Sequence, residues 1–144
     1  MGCDIHLHIE IKIAGIEGWQ HFSHPHVHQN YLLFSYMANV RNYDNVTPIS
    51  SPKGLPPDIS EVTKYCYTVD KLHYHPHSES YLDSDEIAKL DEVWESFAKE
   101  DFNNDLEHSI FQCYLFGNSF GGFRRYGDKV PNLQDVRFVF WFDN

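Results

Sequence analysis

From Cys3 to Ile13 the chain reads CDIHLHIEIKI, and apolar and polar side chains alternate without a slip. An extended chain turns successive side chains to opposite faces, so this stretch is a β-strand. Cys3, Ile5, Leu7, Ile9, Ile11 and Ile13 take one face; Asp4, His6, His8, Glu10 and Lys12 take the other. A solvated strand face ordinarily mixes Lys, Thr, Ser and Glu. This one opens with an acid and two imidazoles, spaced about 6.8 Å apart at ~3.4 Å per residue. Neighbours at that spacing can turn their tips toward one point, so Asp4, His6 and His8 can share a metal ion or a phosphate. Cys3 and His6 fall on opposite faces, which excludes a nucleophilic pair between them.

The other end of the chain has the complementary character. In Asp135–Asn144, Val136, Phe138, Phe140 and Phe142 line one face while Val139 and Trp141 occupy the other. Apolarity on both faces marks a central strand. Between these two strands, Ala14–Gly18 is a turn and Trp19–Phe22 a return strand, which together make a hairpin. Residues 23–29 (SHPHVHQ) form a loop, and Asn30 caps a buried helix over 31–40 with Leu33, Tyr36, Met37 and Val40 on one face. Residues 45–60 are a proline-rich segment of the kind that serves a site as lid or wall. Ser60–Lys64 reads as a helical turn and Tyr65–Val69 as a third strand. Asp83 and Glu86 make a capping box for a helix that buries Ile87, Leu90, Val93 or Trp94, and Phe97. A further helix is expected over 104–116, with Leu106, Ile110, Cys113 or Tyr114, and Phe116 inward, followed by a Gly- and Arg-containing loop over 117–128. The sum is a single α+β domain over 1–144. Its sheet is mainly antiparallel, the N- and C-terminal strands are adjacent, and three helices pack against it.

Charge and composition narrow the function. A formal net charge of −10 argues against coating bulk nucleic acid or an anionic membrane. It leaves room for a small anionic ligand in a local pocket. Three widely spaced cysteines suggest reduced thiols in a cytoplasmic protein. No apolar run approaches the ~18 residues that span a bilayer, and no leader segment is visible.

Several pieces of the chain resemble a family of small proteins of unassigned function that is widespread in bacteriophage and prophage genomes. They are MGCDIH with Glu10 shortly after, Asn30-Tyr31-x-x-Phe34, Val40-Arg41-Asn42, Pro48-Ile49-Ser50-x-Pro52-x-Gly54-Leu55-Pro56, His77-Ser78-x-Ser80-Tyr81-Leu82 and the terminal FWFDN. Lys53 stands where the family pattern has Arg, and His8 and the histidines of 24–28 lie outside the pattern. The resemblance implies a viral setting, hence the cytoplasm of an infected bacterium, and carries no activity with it.

The candidate centre is Asp4 and His6 with His77 and Asp143. Carboxylate and imidazole together suit a divalent metal ion such as Zn, Mn or Fe; the alternative is a buried polar network in which Asp4 orients His6. His8 or Glu10 is placed to pass a proton. Asn30, Arg41, Lys53, Ser78 and Ser80 are candidates for contact with a phosphate, against helix-end, turn and cap roles for the same residues. His24, His26, His28, His73 and His75 have no fixed partners and are not assigned a site. The expectation is a metal-dependent hydrolase, a phosphodiesterase acting on a small nucleotide or cyclic nucleotide immune signal. The alternative is a protein that sequesters such a signal or blocks a host defence protein. The sequence leaves the oligomeric state open, a homo-oligomer included.

Overall fold

The computed structural model describes residues 2–100 and 132–144, with the side chains of 94–100 outside the described set. The expected helix over 104–116 and the loop over 117–128 lie outside the described residues, as do the side chains of Trp94 and Phe97.

A four-stranded antiparallel sheet carries the fold. Its strands are β1 (Asp4–Ile13), β2 (Trp19–Ser23), β3 (His77–Leu82) and β4 (Leu133–Asp143), in the order β2-β1-β4-β3. Three helices accompany it: α1 (Tyr31–Ala38), α2 (Glu61–His73) and α3 (Ser84–Glu100). The first and last strands are neighbours, so the fold is α+β as the sequence indicates. β1 and β4 pair with Asp4 opposite Asp143, His6 opposite Trp141 and Glu10 opposite Arg137. Directly opposed residues share a face, and the sheet therefore has one apolar and one polar side.

On the apolar side, Cys3, Ile5, Leu7, Ile9 and Ile11 meet Val136, Phe138, Phe140 and Phe142 in one buried cluster. α1 adds Leu33, Phe34 and Met37, and α3 adds Ile87 and Leu90. The Phe34 ring meets Phe142 edge to face at 5.1 Å. Each fully buried phenyl or branched aliphatic side chain contributes about 1.5–3 kcal/mol. β4 has neighbours on both edges, and Val139 and Trp141, on the polar side, are as fully buried as its phenylalanines. That is why the strand reads as apolar on both faces.

Local signals set the helix starts. The Asn30 side chain accepts the Leu33 N–H at 3.0 Å, and α1 ends at Asn39 in the left-handed conformation. At α3 the capping box is reciprocal: Glu86 N–H donates to Asp83 Oδ1 at 2.8 Å and Asp83 N–H donates to Glu86 Oε1 at 3.1 Å.

The strand expected over Tyr65–Val69 is instead the middle of α2. Its β-branched and aromatic residues favour a strand locally, but Ser60 starts a helix by accepting the Thr63 N–H at 3.3 Å. Thr63, Tyr67 and Asp70 then recur at helical spacing, and all three bond to groups of the sheet's polar side. Tertiary contacts along one helical stripe outweigh the strand propensity.

The proline-rich 45–60 segment is a fixed wall. Val46 is held by Asn42, Ile49 N–H donates to the Tyr36 carbonyl at 2.8 Å, and Gly54 N–H donates to the Glu79 carbonyl at 2.8 Å. Lys53 N–H donates to Ser80 Oγ at 3.1 Å. The segment thus occupies part of the open edge of β3, a common way of blunting an exposed strand.

Candidate functional site

The polar side of the sheet lies beneath α2. At one end, Arg137 donates from Nε to Glu10 Oε1 at 2.7 Å and from Nη1 to Asp58 Oδ1 at 2.8 Å. Glu10 Oε2 accepts from Ser60 N–H at 2.9 Å and from Thr63 Oγ1 at 2.7 Å. Glu10 is fully buried and both its oxygens are engaged, so it holds α2 to the sheet and has no oxygen free for substrate. Its placement gives no support to a proton-passing role.

Histidines occupy the middle. His8 is fully buried and its Nδ1 lies 3.0 Å from His21 Nε2. Its ring stacks on His24 at 3.9 Å and on Trp141 at 4.9 Å. Among the described residues, His8 Nε2 has no hydrogen-bond partner. Burial, and then the neighbouring His24, His21 and His6, push the His8 pKa down to about 3. Burial also lowers those of His21 and His24. These rings form a neutral aromatic stack, and His8 is too enclosed to exchange a proton with a ligand directly.

At the far end, the His6 ring sits between two carboxylates. Its Nε2 bonds Asp143 Oδ2, and its Nδ1 lies 3.5 Å from Asp70 Oδ2. Trp141 Nε1 donates to the same Asp70 oxygen at 3.0 Å. The Tyr74 ring is 5.6 Å from His6 and the Trp141 ring 6.3 Å. Unlike His8, the His6 side chain is 20% exposed, so this end of the face opens to solvent. On the same face Tyr67 OH donates to Glu79 Oε1 at 2.7 Å; burial, followed by that bond, raises the Tyr67 pKa to about 12.

The four expected metal ligands do not converge. Asp4, His6 and Asp143 share the polar face, but Asp4 is exposed and accepts from Gln29 Nε2 at 3.1 Å. His77 is on the other face. Counting back one for one from Ser80, which pairs with Phe140, would set His77 opposite Asp143. A bulge intervenes, with Ser78 at φ 55°, and His77 pairs with Phe142 instead. One extra residue turns the side chain over. The His77 ring stacks on Phe142, Nε2 donates to Asn144 Oδ1 at 3.2 Å and Nδ1 accepts from Ser78 Oγ at 3.0 Å. Among the described residues no group of three His, Cys, Asp or Glu side chains is placed to hold a metal ion.

Of the expected phosphate contacts, Arg41 alone reaches the end of the sheet, where it shares Asn144 Oδ1 with His77. Its Nη2 donates to Asn144 Oδ1 at 3.2 Å, next to Asp143, and Nη1 to Tyr43 OH at 3.0 Å. Asn30 caps α1. Lys53 pairs with Glu86 at 2.6 Å and lies over the Tyr81 ring, Ser80 is buried beneath Lys53, and Ser78 belongs to the bulge. These four serve the fold. Asp70, Tyr74, His21 and His24 join the polar face without having been marked by the sequence. Asp70 is visible only once 61–73 is read as a helix, since it then falls on one face with Thr63 and Tyr67.

Among the described residues no helix is long and apolar enough to cross a membrane. Comparison with family models, with curated proteins and with solved structures found no match to this chain.

Proposed function

We propose that the protein is a hydrolase of small nucleotide phosphodiesters, with His6 as its proton-transfer group. The observation that supports this most directly is the setting of the His6 ring. Asp143 holds a proton on Nε2, which leaves Nδ1 as the base that takes a proton from water. Asp70 Oδ2, 3.5 Å from Nδ1, is placed to accept the bond from that proton once it is transferred. Arg41, anchored next to Asp143, supplies the guanidinium that meets the phosphate oxygens. The divalent ion belongs to this reading as one recruited with substrate. Asp4 and Asp143, opposite each other at the sheet end, would be the donors; one or two carboxylates plus a substrate phosphate commonly hold Mg, and Mn shares the preference for oxygen ligands. Bound there, it would neutralise phosphate charge and acidify water. The resemblance to a bacteriophage family supports a substrate among the nucleotide signals that bacteria raise against infection, met in the cytoplasm of the infected host.

Incubation of untagged protein with cyclic mono- and dinucleotides and linear dinucleotides, with added Mn or with chelator, tests the proposal. Cleavage is expected with metal, and His6→Ala or Asp143→Asn should slow it by about 10²–10⁴-fold while circular dichroism stays unchanged. Recovery of every nucleotide intact from the wild-type protein would refute it. A second reading, in which the protein blocks a host defence protein without chemistry, is favoured by one feature, the apolar outer side of α2 at Val62, Tyr65 and Leu72.

A further inference from the structure

Arg41 is a guanidinium left to neutral partners in a strongly acidic chain. Arg137, the other described arginine, takes the carboxylates of Glu10 and Asp58. Arg41 by contrast forms no ion pair among the described residues. Its Nη1 donates to Tyr43 OH at 3.0 Å, its Nη2 donates to Asn144 Oδ1 at 3.2 Å, and the group lies 5.6 Å from the centre of the Tyr31 ring. The two acids at this end of the sheet, Asp4 and Asp143, belong to the polar face and are engaged there by Gln29 and His6.

A second donor converges on the same acceptor. His77 Nε2 also lies 3.2 Å from Asn144 Oδ1. Ser78 Oγ donates to His77 Nδ1 at 3.0 Å, which leaves the ring proton on Nε2, and the ring is held against Phe142. A guanidinium and an imidazole N–H thus share one carboxamide oxygen. A neutral oxygen is a poor match for a guanidinium, whose strong bonds are to carboxylate and phosphate. Both bonds are exposed, so a dissolved anion can reach them. The backbone at or beside each donor is also strained, with Arg41 at φ 54° and Ser78 at φ 55°. The other described non-glycine residues of positive φ are asparagines, which tolerate that region. Strain of this kind collects at ligand clamps.

We infer that Arg41 and His77 clamp a phosphate group of the ligand, one of whose oxygens replaces Asn144 Oδ1. The phosphate brings the charge that Arg41 lacks and has oxygens enough for both donors. Asn144 is then a placeholder that keeps the two donors oriented until the anion arrives. The inference rests on the hydrolase reading for phosphate as the anion, and it adds His77 to Arg41 as a phosphate-holding residue.

Binding of AMP to the full chain in the presence of chelator, read by the His77 Cε1–Hε1 resonance, tests the inference. AMP and inorganic phosphate should shift that resonance, and adenosine should not. Arg41→Gln and His77→Gln should each weaken AMP binding by about ten- to a hundredfold in calorimetry, with circular dichroism unchanged. Asn144→Ala removes the competing oxygen without touching either donor and should bind AMP at least as tightly as the wild type. Adenosine binding as well as AMP, affinity that survives both donor variants, weaker binding in Asn144→Ala, or a wild type that binds neither AMP nor phosphate overturns the inference. Binding and cleavage are read apart. A wild type that binds AMP as expected but cleaves no diester supports the clamp and refutes the hydrolase, whereas cleavage undiminished in His77→Gln supports the hydrolase and overturns the clamp.

Discussion

Glu10 of β1 and Arg137 of β4 stand directly opposite each other and join Nε to Oε1 at 2.7 Å with both side chains buried. Around this pair the first strand, the last strand, the 45–60 segment and the start of α2 are tied together. Trp19 completes the arrangement, its ring 4.1 Å from the guanidinium. Removing one partner strands the other as an unpaired buried charge, which costs about 3–5 kcal/mol. Arg137→Met should therefore lower the unfolding free energy from urea titration by that much, seen as a lower midpoint at unchanged m-value. Exchanging both partners for apolar residues together should cost far less, and comparison of the two variants checks the charge argument.

Acid should destabilise the protein before its carboxylates titrate. The ordinary imidazole value is 6.5, and that of His8 in the folded protein is about 3. Between these values the unfolded chain binds a proton that the folded one does not. Stability is then complete above about pH 6.5 and falls as pH drops toward 3, at no more than about 1.4 kcal/mol per pH unit for one group. His21 and His24, also lowered, steepen the slope. Thermal melts between pH 5 and 6.5 should show it, and His8→Gln should flatten it.

Trp141→Phe keeps an aromatic in the strand and deletes the indole N–H that bonds Asp70. A hydrogen bond to a charged group contributes about 1.5–3 kcal/mol. A loss of that size or somewhat more, from the space vacated, is expected in chemical denaturation. Asp70 would also lose the bond that holds it beside His6, so the catalytic reading predicts reduced nucleotide turnover in the same variant.

Asp83→Ala removes one half of the reciprocal cap on α3 and should cost about 1 kcal/mol. Glu86 also pairs with Lys53, so Glu86→Ala should cost more than Asp83→Ala and loosen the 45–60 segment. Amide exchange at Gly54 reads that second effect.

The sequence by itself determined the strands at the two ends, the cap at Asn30 and the box at Asp83. Each rests on relations between residues one to four apart, and such relations are written in the order of the side chains. The seam of apolar residues under β1 and β4 was legible for the same reason. Tertiary structure decided α2, where contacts of Thr63, Tyr67 and Asp70 with the polar side of the sheet prevail over a local preference for a strand. It also decided the site. The His6–Asp70 contact joins residues remote in the chain, and the bulge at Ser78 carries His77 from the face of Asp143 to the face of Phe142. Alternation of period two gives a side chain's face only while the register is unbroken, and where the register breaks is set by the pairing of whole strands.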